Sequence, residues 1–216
     1  MPPRVPHLKA EWRLWQEGKR LVVGVDEVGM GALCAPVLAA AVLVRPNGKR
    51  IAGVRDSKTL SHQQRERLVA EIERRSLAWG IGAASVAEIE RLNIYHASHL
   101  AMRRALARIG EYDHVLVDGR KIVGFESQVG PYTAIVDGDA SSYAIACASV
   151  IAKVTRDRLM RTAHEQWPQY RFDVHKGYCT PLHQEHLDAH GPCEIHRWCF
   201  ENVRRTARPA DSSRAG

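Results

Sequence analysis

Apolar residues recur along this chain with two periods, and the periods take turns. Residues 8–18 carry Trp12 and Trp15 at helical spacing and predict a short helix. Residues 20–26 read as a strand, and the nearly continuous apolar run at 35–44 as a second, buried one. Pro46-Asn47-Gly48-Lys49 is a turn signal. Ser61-His62-Gln63-Gln64 forms a capping box that opens a charged helix to about residue 76. A strand is expected at 77–85. A helix follows at 95–109, with Leu100, Ala101, Leu106 and Ile109 on one face and Gly110 as its stop.

Strands at 114–118 and 132–137 come next, and then a long helix at 142–166 built from small residues. The remainder to residue 205 is rich in His, Cys and aromatics, with one helix expected at 181–189. A disordered tail is expected at 206–216. There are no repeats and no linker long enough to divide the chain. Strands alternating with helices predict an α/β fold in one domain, 1–205, whose last part from about 166 is helical.

Chemistry gathers where the strands stop. The run Leu21-Val22-Val23-Gly24-Val25 ends in Asp26-Glu27 and opens into Val28-Gly29-Met30-Gly31. Adjacent carboxylates repel, so they call for a cation or a shared proton. The expected ends of the strands at 114–118 and 132–137 add Asp118 and Asp139. If these strands are neighbours, four carboxylates meet, and two Mg²⁺ or Mn²⁺ ions are their natural complement. Such a pair suits in-line displacement at phosphorus. Asp118-Gly119 and Asp137-Gly138 are also ordinary turn dipeptides, so only the combination with Asp26-Glu27 carries the metal reading.

Charge agrees with that reading. The 216 residues carry a net +7, with a cationic N-terminal arm, which favours an anionic partner such as nucleic acid. No apolar run approaches the roughly 20 residues of a membrane span, and no signal peptide is evident. Five scattered cysteines without a C-x-x-C fit a reducing cytoplasm. Other templates fail. Met30-Gly31 stands where a phosphate loop needs Lys-Ser or Lys-Thr, and Cys34 replaces the third glycine of a dinucleotide fingerprint. His175, Cys179, His183, His186, Cys193, His196 and Cys199 match no closed zinc spacing.

Taken together, the motifs resemble type 2 ribonuclease H, ribonuclease HII. The likeness rests on Gly24-Val25-Asp26-Glu27-Val28-Gly29-Met30-Gly31, Asp56-Ser57-Lys58-Thr59-Leu60-Ser61 and Val115-Leu116-Val117-Asp118-Gly119. It continues through Asn93-Ile94 and Leu100–Ala105, then Gly138-Asp139 with the helix ending Lys153-Val154-Thr155-Arg156-Asp157. His175-Lys176-Gly177-Tyr178 and His196-Arg197 complete it, over about residues 20–203.

The resemblance implies a ribonuclease H-like fold: a mixed central sheet flanked by helices, with a small helical C-terminal part. It implies cleavage of RNA paired to DNA, and cleavage 5′ of ribonucleotides embedded in duplex DNA, as in ribonucleotide excision repair. The products would carry 5′-phosphate and 3′-hydroxyl ends. It assigns catalysis and metal binding to Asp26, Glu27, Asp118 and Asp139. Asp139 is preferred to Asp157, which lies inside the helix; Asp137, two residues away, stays open on geometry.

The resemblance places Gly29, Met30, Gly31 and Tyr178 against the ribonucleotide, and Lys58 and Lys153 near phosphate. A sliding clamp enters as a candidate partner, and a monomer is the expected state. Two rivals are a ribonuclease H-like DNA phosphoryl transferase and a hybrid-binding protein with impaired catalysis. The chain departs from the family pattern at Met30, where Arg is usual, and at Asp137, where Lys is usual. Cys179 and Cys199 stand for Gly and Ser.

Overall fold

The computed structural model describes residues 5–54 and 61–206. Lys58 and most of its D-S-K-x-L-S motif lie outside them, as does the expected tail from residue 207. Five strands form one mixed sheet: β1 (Val22–Val28), β2 (Val37–Leu43), β3 (Ala78–Ala84), β4 (His114–Asp118) and β5 (Tyr132–Ile135). Their order across the sheet is β3-β2-β1-β4-β5. β1, β2 and β3 pair antiparallel; β4 and β5 join β1 in parallel.

Helices cover both faces, and the pleat decides which residues meet them. Val23 and Val25 of β1, with Val37, Ala39 and Ala41 of β2, face α3 (Val86–Leu106). Ala40 and Val42 face the opposite way, toward α6 (Tyr143–Gln166) and α2 (His62–Arg75). α6 lies very close to β1. A Cβ on Gly24 would stand 2.1 Å from the Ala144 carbonyl carbon, so the run of small residues in α6 and the strand glycine work as one device. The remaining helices are α1 (Lys9–Gln16), α4 (Glu126–Val129), α5 (Gly138–Ser141), α7 (Phe172–His175), α8 (Pro181–His190) and α9 (Glu201–Arg204). The last three, with a 3-10 turn at Pro168–Tyr170, form a C-terminal layer around Phe172, Tyr170 and Leu187.

Several boundaries differ from expectation. β1 continues to Val28 because its ladder with β2 continues, Val28 pairing with Leu38; Asp26 and Glu27 therefore lie within the strand. α3 starts at Val86, capped by Ser85 and Glu88 in a reciprocal box. Its second segment restarts at Asn93, which has φ +66 and accepts the His96 N–H at 3.1 Å. β5 ends at Ile135, and Asp137 turns left-handed at φ +52. Among the described residues, no helix is long and apolar enough to cross a membrane.

Candidate active site

The C-terminal ends of the parallel strands build the site. Alternation on β1 sends Gly24 and Asp26 to the α6 face, where the Ser149 hydroxyl hydrogen-bonds Asp26. Asp26 also accepts the Glu27 N–H at 2.8 Å. Val25 pairs with Val117, so the next residues, Asp26 and Asp118, emerge side by side. The Asp118 carboxylate accepts the Gly138 N–H at 2.7 Å, tying β4 to the single turn of α5. That turn buries Asp139, whereas Asp137 remains exposed just before it. The structure thus separates the two candidates that a strand would have left on one side: neither is on a strand.

Asp26, Glu27, Asp118 and Asp139 share one cavity of about 420 Å³ with Gly29, Met30, Gly31, Ser149, Lys153 and Tyr178. Burial, then the charges of Glu27 and Asp118, hold the Asp26 carboxyl well above the usual carboxylate range. Burial is also the main cause raising Asp118, opposed by the Gly138 N–H. A crowded, all-oxygen donor set of this kind is stabilised by hard divalent cations, so the residues present fit Mg²⁺ or Mn²⁺.

The loop after β1 forms the opposite wall. Gly29 has φ +92, and a Cβ there would meet the Arg156 guanidinium at 2.5 Å. Gly31 is exposed and its Cβ would meet nothing within 4 Å; its open side belongs to the cavity. Met30 packs partly against the α3-side core. Ala32 bridges Tyr178 as an antiparallel pair, so the glycine loop and the tyrosine are tied together. The Lys153 ammonium lies 5.6 Å from the Tyr178 ring centre and 2.7 Å from Asp157. Asp157 also pairs with Arg65, so it serves an ion-pair network beside the cavity.

Three residues near this site have surroundings that the sequence does not announce. Ser149 sits unremarked in a helix of small residues. Arg156 and Arg197 are fully buried, which no local pattern announces. The C-terminal histidines also behave differently from a zinc spacing. Cys199 is exposed, and the buried group that forms is Cys34, His183 and His196. A hydrogen-bond chain joins its histidines. Nδ1 of His183 faces the Tyr178 carbonyl at 3.0 Å, Nε2 of His183 faces Nε2 of His196 at 3.1 Å, and the Cys193 N–H donates to Nδ1 of His196. This chain occupies the ring nitrogens that a metal would need.

A mixed sheet in this order, with acids at the ends of its central strands, defines a ribonuclease H-like α/β protein. The solved ribonuclease H2 of Pyrococcus horikoshii OT3 superposes with a TM-score of 0.73 at 25% identity, covering 86% of this chain and 96% of that one. The ribonuclease HII of Archaeoglobus fulgidus, solved in a complex with PCNA, gives 0.73 at 22% identity over 89% and 100%. Bst-RNase HIII, solved in complex with Mn²⁺, gives 0.71 at 18% over 93% and 73%.

The family model for ribonuclease HII matches residues 23–203, and the chain belongs to that family. The ribonuclease HII of Thermosynechococcus vestitus is 48% identical over 192 residues, 88% of each chain. That of Xanthomonas campestris pv. campestris is 49% identical over 187 residues, 86% of this chain and 77% of the relative. Membership makes the protein a ribonuclease H, an endonuclease that hydrolyses phosphodiesters.

Proposed function

We propose that the enzyme cleaves the RNA strand of RNA–DNA hybrids and cuts 5′ of ribonucleotides embedded in duplex DNA, leaving 5′-phosphate and 3′-hydroxyl ends. The observation that carries this reading is one cavity lined by both the four carboxylates and the Gly29–Gly31 loop with Tyr178. Asp26, Glu27, Asp118 and Asp139 would hold two divalent cations, Mg²⁺ or Mn²⁺. When bound, these supply charge neutralisation at the phosphate and activation of water. Asp26, buried among the other acids, would be one of the residues that hold them. Gly31 leaves room for a sugar to approach the backbone, and Tyr178 offers a ring face to the neighbouring sugar.

Lys153, and Lys58 from outside the described residues, would attract phosphate. Residues 1–205 act as one catalytic domain in this reading, as a monomer in the cytoplasm. The A. fulgidus complex makes a sliding clamp the partner to test. Asp118→Asn should fold normally and lose metal-dependent cleavage of a hybrid, since the Gly138 N–H keeps an oxygen acceptor while the charge is gone. Unchanged cleavage by Asp118→Asn would overturn the site.

A further inference from the structure

Two fully buried guanidiniums stand behind the loop that lines the cavity. Arg197 donates from Nη1 to the Ala32 carbonyl at 2.7 Å and the Met30 carbonyl at 3.1 Å, and from Nε to the Ala35 carbonyl at 2.9 Å. Arg156 donates from Nη1 to Pro36 at 2.8 Å, and from Nη2 to Cys34 and Lys176 at 3.2 Å each. These acceptors are all backbone carbonyls. Asp157, next to Arg156 in sequence, gives its oxygens to Arg65 and Lys153. Arg156 also hydrogen-bonds the Tyr178 side chain. A buried charge solvated mainly by backbone dipoles is costly, and the fold uses it to fix where those dipoles point.

The direction matters. In a trans peptide the C=O of one residue and the N–H of the next point opposite ways. Met30 turns its carbonyl inward to Arg197, so the Gly31 N–H points the opposite way, away from the guanidinium, in a residue that lines the cavity. Arg156 also lies 5.5 Å from the Tyr178 ring centre, and it approaches Gly29 and Gly177 so closely that a Cβ on either would stand 2.5 Å or 3.2 Å from it. One side chain thus touches both halves of the cavity wall.

We propose that Arg156 and Arg197 are positioning residues for ribose recognition, holding the loop carbonyls inward so that the Gly31 N–H and the Tyr178 ring meet the sugar of the substrate. This inference rests on the ribonucleotide-reading function proposed above. Neither arginine touches substrate; each acts through the loop.

The test compares Arg156→Lys and Arg197→Lys with wild type. The readouts are affinity for a one-ribonucleotide duplex, affinity for its all-DNA counterpart, Mn²⁺ binding to the protein alone and thermal unfolding. One aimed N–H is worth about tenfold in affinity. The wild type should therefore prefer the ribonucleotide duplex by about that factor, and the lysine variants should lose most of the preference while binding Mn²⁺ unchanged. Phe200→Leu covers the case in which a lysine variant fails to fold. It removes the ring that lies 5.5 Å from Arg197 and leaves the guanidinium in place; the preference should fall about twofold to threefold.

Wild-type cleavage of the two duplexes decides the function separately, since equal cutting of both would remove that reading. Variants that keep the wild-type preference, a wild type with equal affinities, or Mn²⁺ affinity that falls in step with the preference would each overturn the inference.

Discussion

At the residue scale, Gly29 and Gly31 share a motif and are glycines for different reasons. Gly29 is required from within, by its positive φ and by the Arg156 guanidinium behind it. Gly31 has no internal neighbour to satisfy. Gly31→Ala should therefore keep the wild-type melting temperature and lose cleavage by about a hundredfold, as expected when a small displacement spoils a reacting geometry. Gly29→Ala should instead destabilise the fold by about 1–3 kcal/mol, measured by denaturant unfolding. Met30 belongs to the same loop. Met30→Arg should tighten hybrid binding and steepen the dependence of log affinity on log salt by about 0.7–0.9, the slope of one added phosphate contact. Unchanged affinity across a salt series would show that position 30 faces no phosphate.

At the element scale, the close seating of α6 on β1 sets the position of Ser149, Lys153 and Arg156 together. Gly24→Ala would drive a methyl into the Ala144 backbone at 2.1 Å. Backbone cannot yield as a flexible side chain can, so the expected cost is about 3 kcal/mol or more, with reduced cleavage in the molecules that fold. Calorimetry beside an activity assay checks both.

Elements with strong local signals were legible in the sequence. The Ser61–Gln64 box opens α2, and the run of small residues marks α6. What escaped was decided by pairing partners or by single backbone conformations. β1 runs on to Val28 because β2 continues beside it. The Ser85–Glu88 box, a signal of the same kind as that of α2, marks the missed start of α3. Asp137 and Asp139 differ in burial because of one left-handed residue and a four-residue helical turn, which no periodicity can show. The four acids stand out in the sequence, and the structure gathers them in one cavity; Arg156 and Arg197 stand in the motif stretches too, but their burial was not legible, because burial of a charged residue is a tertiary property.

At the scale of the whole molecule, the C-terminal layer sets a pH limit. Burial holds His183 down to about 3 and His196 down to about 4, against an ordinary value near 6.5. The unfolded chain takes up these protons before the folded chain does. The layer therefore contributes fully above about pH 6.5 and loses stability as the pH falls toward 4, at about 1.4 kcal/mol per unit of depression. Urea unfolding between pH 7 and 4.5 should show this slope, and His183→Asn should flatten it.

The net charge of +7 predicts hybrid binding that weakens steadily with salt. One cavity brings together the acids proposed to cut and the loop proposed to read a ribose. A cleavage map on a duplex with one embedded ribonucleotide, run with Mg²⁺ and with Mn²⁺, tests both at once. A single cut 5′ of the ribonucleotide and an intact all-DNA control are expected; equal cutting of the two duplexes would contradict the proposed function.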